Sequence, residues 1–265
     1  MINWGKTLVS LIEVFILAII QGLTEWLPIS SSGHLVITQQ VLGLDLPLIF
    51  DVMLHIGTLI VVLTVFRKDI EEIIKALVKR DFETQEGKLA CFLVVGSVPI
   101  GVAGYVFRDF FESLFGNLPA VGLALIITGC VLFISERRVG NRKMGALDSV
   151  FIGLAQAVSI IPGISRSGVT VSIGLLRRID KTTAFSFSFL LSVPAIFGAT
   201  VFESRNLVWG TVDVVPMFVG VIVSMMVGYG SLKVLQKIIF SEKFHLFAYY
   251  CWTLGLVIVF FTIYQ

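Results

Sequence analysis

Charge is what this sequence has least of. Only 14% of its 265 residues are Asp, Glu, Lys or Arg, against roughly 25% in a soluble globular domain. That scarcity, with 56% hydrophobic residues and a mean hydropathy of +0.95, argues against a water-soluble domain. Net charge is scarce too: the formal value of +2 offers no basic field for nucleic acid. Cysteine is limited to Cys91, Cys130 and Cys251, each inside an apolar run. The number is odd and no metal-ligand spacing occurs, which speaks against a disulfide framework or a zinc site and leaves membrane packing as their expected role. The apolar N-terminus has Lys6 but no small-residue cleavage site before Gln21-Gly22-Leu23-Thr24-Glu25-Trp26, so no cleaved signal peptide is expected. What the chain does have is Phe and Gly in quantity, the composition of a polytopic membrane protein.

A membrane-crossing helix needs roughly 20 mainly apolar residues. Six stretches qualify: 49–66, 89–107, 119–135, 184–202, 215–232 and 247–264. Two further apolar regions, 8–43 and 149–176, are broken by Pro/Gly/Ser clusters at Pro28 to His34 and Pro162 to Gly168. Basic residues gather in four groups: Arg67, Lys68, Lys75, Lys79, Arg80 and Lys88; Arg137, Arg138, Arg142 and Lys143; Arg177, Arg178 and Lys181; Lys233, Lys237 and Lys243. The positive-inside rule makes all four cytoplasmic. The loops 108–118 and 203–214, with only Arg108 and Arg205, then lie outside. The broken segment between the second and third groups must therefore enter and leave on one side, as a re-entrant hairpin. Its partner at 8–43 is expected to dip in from the outer face, with both termini outside. Irregular backbone at membrane depth is tolerated where protein or water covers it.

The two broken segments match without gaps when each residue is laid over the one 135 positions later. Gln21 falls on Gln156, and Ile29, Ser30, Ser32 and Gly33 fall on Ile164, Ser165, Ser167 and Gly168. The odd pair is Ser31 over Arg166. Each hairpin precedes three spans, so the repeats, 1–135 and 136–265, are expected to be inverted within one membrane domain. Such folds place their site at the repeat interface.

Ionisable residues inside a membrane are functional candidates. Glu25, His34, Asp148 and Arg166 are the four that stand out. Arg166 lies in Gly163-Ile164-Ser165-Arg166-Ser167-Gly168, where a guanidinium, serine hydroxyls and the N–H groups of a Gly-rich turn make an anion site. Ser30, Ser31 and Ser32 are candidate nucleophiles, which need a nearby base; a metal-activated water attacking directly is equally compatible with the sequence. His34 is close in sequence, and Glu25 could orient its ring or hold a metal. Glu13 and His55 read as structural polar contacts, Asp51 as lying near the outer end of a span, and Asp148 as a helix-start acid.

These residues carry a resemblance. Gln21-Gly22-Leu23-Thr24-Glu25 with Pro28-Ile29-Ser30-Ser31-Ser32-Gly33-His34, and Pro162-Gly163-Ile164-Ser165-Arg166-Ser167-Gly168-Val169-Thr170, resemble the two motifs of the integral-membrane undecaprenyl-diphosphate phosphatases, the bacitracin-resistance type. The resemblance implies an all-α membrane fold. It implies hydrolysis of a C55 polyprenyl diphosphate to the monophosphate at the outer face of the cell membrane, recycling the lipid carrier of cell-wall glycan. It implies a divalent metal, Mg²⁺ or Ca²⁺, with Glu25 and Gln21 as candidate ligands. Ser31 would be the nucleophile, with His34 and Glu25 assisting and Arg166 holding phosphate. Gln21, Ser30, Ser32, Ser165, Ser167, Gly168 and Thr170 would line the substrate. The partners implied are the lipid and the bilayer, with a homodimer left open. Position 21 is Gln where many members have Glu, so a carboxylate pair at 21 and 25 is absent. The rival expectation is a lipid or anion transporter of the same architecture.

Overall fold

The computed structural model describes residues 10–135, 140–206, 214–241 and 243–264. Lys6, Arg137 and Arg138 lie outside the described residues. Twelve α-helices follow one another among the described residues: α1 (Leu11–Trp26), α2 (Ser31–Val41), α3 (Leu48–Val65), α4 (Arg67–Lys79), α5 (Gln85–Val106), α6 (Arg108–Phe115), α7 (Leu118–Ser135), α8 (Ala146–Val158), α9 (Arg166–Leu176), α10 (Lys181–Glu203), α11 (Val214–Phe240) and α12 (Leu246–Ile263). Six of these, α3, α5, α7, α10, α11 and α12, are long and apolar enough to cross a membrane. The protein is an all-helical, multi-pass membrane protein.

The six long helices coincide with the six apolar stretches, except that α11 runs on past residue 232. The apolar run ends at Lys233, but the helix does not, because Lys side chains near a helix end can reach the interface. The stretches expected as simple loops at 67–88 and 108–118 contain α4 and α6. In α4, Ile70, Ile73, Ile74 and Leu77 recur at helical spacing beside a charged face, a period that the count of basic residues hides.

The broken segments form two helix pairs, α1 with α2 and α8 with α9. They have 16, 11, 13 and 11 residues. At 1.5 Å per residue, each falls short of a hydrocarbon core of about 30 Å. They are held by the long helices: α1 packs on α11, α8 on α5, α3 on both α10 and α11, and α7 on α12. Lipid offers no hydrophobic drive between such helices, so close backbone approach and hydroxyl bonds do the joining. A Cβ on Gly255 would lie 2.6 Å from the Gly122 carbonyl oxygen, across the α7–α12 contact. Gly153 of α8 rests directly on the backbone of Gly96 in α5. Ser231 donates to the Gly22 carbonyl at 2.6 Å and Ser224 to that of Leu54 at 2.9 Å. Large apolar side chains also cover the outside: Val94 is 66% and Phe260 64% exposed, as a lipid-facing surface requires. An aromatic core of Trp26, Phe66, Phe185 and Phe189 packs beneath the hairpin tips.

Candidate active site

Each hairpin turns at a serine that caps its second helix. Ser30 Oγ accepts the N–H of Gly33, and Ser165 Oγ accepts that of Gly168, both at 3.2 Å. Ser32 and Ser167 lie beside them, with hydroxyl oxygens 3.3 and 3.4 Å away. A serine is a natural N-cap because its oxygen satisfies an amide the helix cannot. The two tips also brace each other. Gly163 N–H donates to Ser30 Oγ at 3.1 Å, and Ser167 Oγ to the Leu27 carbonyl at 3.4 Å. Gly33 sits so close to Gly163 that a Cβ there would be 3.1 Å from its Cα. Ser30 has φ +69°, a backbone a side chain rarely adopts, and its oxygen is pinned by amides from both tips. Thr128 of α7 fixes the second tip, donating to the Gly163 carbonyl at 3.0 Å and accepting from Ser165 N–H at 3.1 Å.

Glu25 is the hub. It sits on the last turn of α1, with a side chain only 5% exposed. Ser31 Oγ donates to its Oε2 at 2.5 Å, and Gln21 Nε2 donates to the same atom at 3.0 Å. His55 Nε2 of α3 lies 3.3 Å from Oε2. Oε1 is bonded to the Arg166 guanidinium, which also lies over the Trp26 ring, 5.2 Å from its centre. A buried carboxylate is costly unless paired and hydrogen-bonded; this one is both. Ser31 and Arg166, the odd pair of the repeat, thus meet on one carboxylate.

His34 does not join this cluster. Its Nδ1 faces the Ser30 carbonyl and its Nε2 the Tyr250 hydroxyl, both at 2.7 Å, and its ring stacks on Tyr250. It holds the strained Ser30 turn rather than the Ser31 hydroxyl. The histidine at the hub is His55, expected only as a structural contact. Its Nδ1 is 2.7 Å from the Asp51 carbonyl. That oxygen only accepts, so Nδ1 carries the proton and Nε2 is the atom free to exchange one with Glu25. Asp51 in turn accepts from Gln39 at 2.7 Å. Sequence could have singled out His55 by the four-residue spacing of Asp51 and His55, one helical turn of α3. Thr170 is one shell away, bonded to the Arg166 carbonyl at 2.7 Å and to Ser188. Asp148 sits elsewhere, starting α8 by accepting the Gly145 N–H at 2.8 Å and pairing with Arg142 and Arg177.

Glu25, Ser31, Ser32, Asp51, His55, Ser165 and Arg166 line one end of a cavity of about 530 Å³. The rest of its wall is mostly apolar, drawn from α3, α5, α6 and α10, and it reaches Arg108, Glu112 and Glu203. The site is therefore amphipathic, with a cation, hydroxyls and a paired acid at one end of an oily chamber.

Residues 14–257 match the family described as Bacitracin resistance protein BacA. The chain belongs to this family. Among similar proteins, the undecaprenyl-diphosphatase of Carboxydothermus hydrogenoformans is 40% identical over 257 residues, covering 93% of this chain and 95% of its own length. That of Desulfosudis oleivorans is 42% identical over 262 residues, covering 92% and 96%. That of Methanobrevibacter smithii is 38% identical over 269 residues, covering 94% and 96%.

Gln21 turns its amide nitrogen to Glu25, because a carboxylate only accepts, and its Oε1 is buried without a hydrogen-bond partner. Among the described residues no group of three His, Cys, Asp or Glu is disposed to hold a metal ion. The side chains do not close a cage, and Gln21 as arranged does not offer Glu25 a second oxygen. They do suit a hard cation that takes one or two carboxylates and fills its shell with phosphate oxygens.

Proposed function

We propose that the protein is a membrane phosphatase that hydrolyses undecaprenyl diphosphate, a polyprenyl diphosphate, to the monophosphate and inorganic phosphate. This recycles the lipid carrier of cell-wall glycan and confers bacitracin resistance. The observation that carries the reading is Glu25 bound at once to Ser31 of one tip and Arg166 of the other, at the polar end of an apolar cavity. The similar proteins named above are undecaprenyl-diphosphatases. A transport reading rests on architecture alone.

Phosphoryl transfer asks a protein mainly for positioning and charge stabilisation. Arg166 exchanges its bond to Glu25 for the terminal phosphate, which frees one carboxylate oxygen as it fixes the substrate. Ser31 Oγ attacks the terminal phosphorus, its proton passes to Glu25 Oε2, and the bond to the bridging oxygen breaks. Polyprenyl monophosphate leaves, and water then hydrolyses the phosphoserine. Ser32 and Ser165 add donors at the cavity wall. His55 Nε2 is positioned to share the proton on Glu25. A divalent cation, Mg²⁺ or Ca²⁺, would be held by Glu25 or Asp51 together with the diphosphate, and would supply charge neutralisation.

The membrane arrangement belongs to the same proposal. The two short helix pairs are re-entrant hairpins, each too short to span. They head two inverted repeats, 1–135 and 136–265. Support comes from reciprocal packing: α1 on α11 mirrors α8 on α5, while α7–α12 and α3–α10 pair corresponding helices. The cavity reaches Leu48 and Arg108, in the segments expected outside, which supports a site open to the outer face; both termini are assigned to that side by the positive-inside rule. The test is phosphate release from a polyprenyl diphosphate by the purified protein, with and without EDTA. Turnover that EDTA abolishes and Mg²⁺ or Ca²⁺ restores is the expected result. Movement of intact substrate across proteoliposomes without phosphate release would overturn it.

A further inference from the structure

A second pocket, of about 270 Å³, lies at the other end of α3. His55 of the first cavity and Val65 at the second are separated by about 15 Å of helix at 1.5 Å per residue. The second pocket forms where α3 passes into α4 through the single residue Phe66, against the later turns of α11. Its charged lining is Arg67, Lys68 and Asp69 from the start of α4 and Lys233 from α11. None of these four has an ion-pair partner among the described residues. Lys233 instead lies 5.8 Å from the centre of the Tyr229 ring, which also lines the pocket.

Three cations and one acid around a single recess leave an excess of positive charge and mutual repulsion that an anion would relieve. Arg67 brings a planar fork suited to phosphate oxygens, and the two lysines add point charges. The surface next to the pocket is the opposite in character. Ile60 and Leu63, on the last turns of α3, are 37% and 39% exposed, and Met226 of α11 is 67% exposed. A ligand seated here meets cations at its head and a lipid-facing apolar surface along its body. α4 continues that division, with Ile74 and Val78 exposed beside its charged residues.

We propose that this pocket binds the headgroup phosphate of an anionic glycerophospholipid, whose acyl chains lie along α3 and α11. Basic pockets between membrane helices recognise anionic headgroups in this way. The site is separate from the cavity that holds Glu25, and its occupant is a resident lipid of the bilayer, not the substrate. This inference does not depend on the diphosphatase reading.

The test places the full chain in nanodiscs of phosphatidylglycerol and phosphatidylcholine and reads the lipid retained by native mass spectrometry. The wild type retains phosphatidylglycerol preferentially. Arg67→Gln, Lys68→Gln and Lys233→Gln each lower that preference by about fivefold, and the triple variant retains the two lipids equally. All four variants keep the wild-type gel-filtration profile and thermal unfolding midpoint in zwitterionic detergent, which shows that they fold. Equal retention by the wild type, or an unchanged preference in the triple variant, overturns the proposal. Displacement of the lipid by millimolar glycerol phosphate would also overturn it, because a site that reads a free anion needs no acyl chains.

Discussion

Ser30 and Ser165 stand in the same place in two hairpins and do the same thing. Each caps a helix through a glycine amide three residues on, and each has a second serine beside it. One residue further along, the hairpins part company: the first presents the hydroxyl of Ser31, the second the guanidinium of Arg166. Both side chains reach the same Glu25 carboxylate. A shared backbone scheme fixes where the two tips meet, and a single divergent position gives each its chemistry. Neither tip holds the whole set around Glu25: the first lacks the cation, and the second lacks the acid and the Ser31 hydroxyl.

This contrast can be broken in order of expected effect. Arg166→Ala should cost the most, about a thousandfold in kcat/KM, because it removes the phosphate donor and leaves Glu25 buried beside an empty position. Ser31→Ala should come next, lowering kcat by at least a hundredfold. Rapid quenching of the wild type with labelled substrate should trap phosphoserine at Ser31; label on water-derived phosphate alone would move the attack to water. His34→Ala should lower kcat by about tenfold, by loosening the Ser30 turn, while leaving KM and the shape of the pH–rate profile unchanged. Loss of one limb of that profile would instead make His34 an acid or base. Thr128→Val should be the mildest. It deprives the Gly163 carbonyl and the Ser165 amide of their partner, a stability cost of about 1–3 kcal/mol read from thermal unfolding in detergent, with activity falling only as the second tip loosens.

Much of this was legible in the sequence. The six long helices follow from apolar runs of bilayer length, because in lipid every backbone group must be satisfied within its own helix. The two tips stand out because polar clusters in an oily chain need a reason, and the ungapped offset of 135 residues sets Ser31 against Arg166, the two side chains that bond Glu25. Sequence proximity did not indicate which histidine lies beside Glu25. His34 is three residues from Ser31, but on α2 its ring turns to Ser30 and Tyr250. His55 is 24 residues from Ser31, and tertiary packing of α3 against α1 brings it to Glu25. Proximity in sequence misleads here because a helix sends residues three apart over its own preceding turn, while the site faces another helix. The amphipathic α4 escapes a reading by charge for a different reason: its basic residues mask the helical period of Ile70, Ile73, Ile74 and Leu77.

The most direct test of the two tips acting as one site is a double-mutant cycle on phosphate release with Glu25→Gln, Arg166→Gln and the double variant. Residues that act as a unit lose their function together. The double variant should therefore be no slower than the slower single variant, to within about threefold. Losses that multiply would mean that Glu25 and Arg166 act independently, and would contradict a shared site.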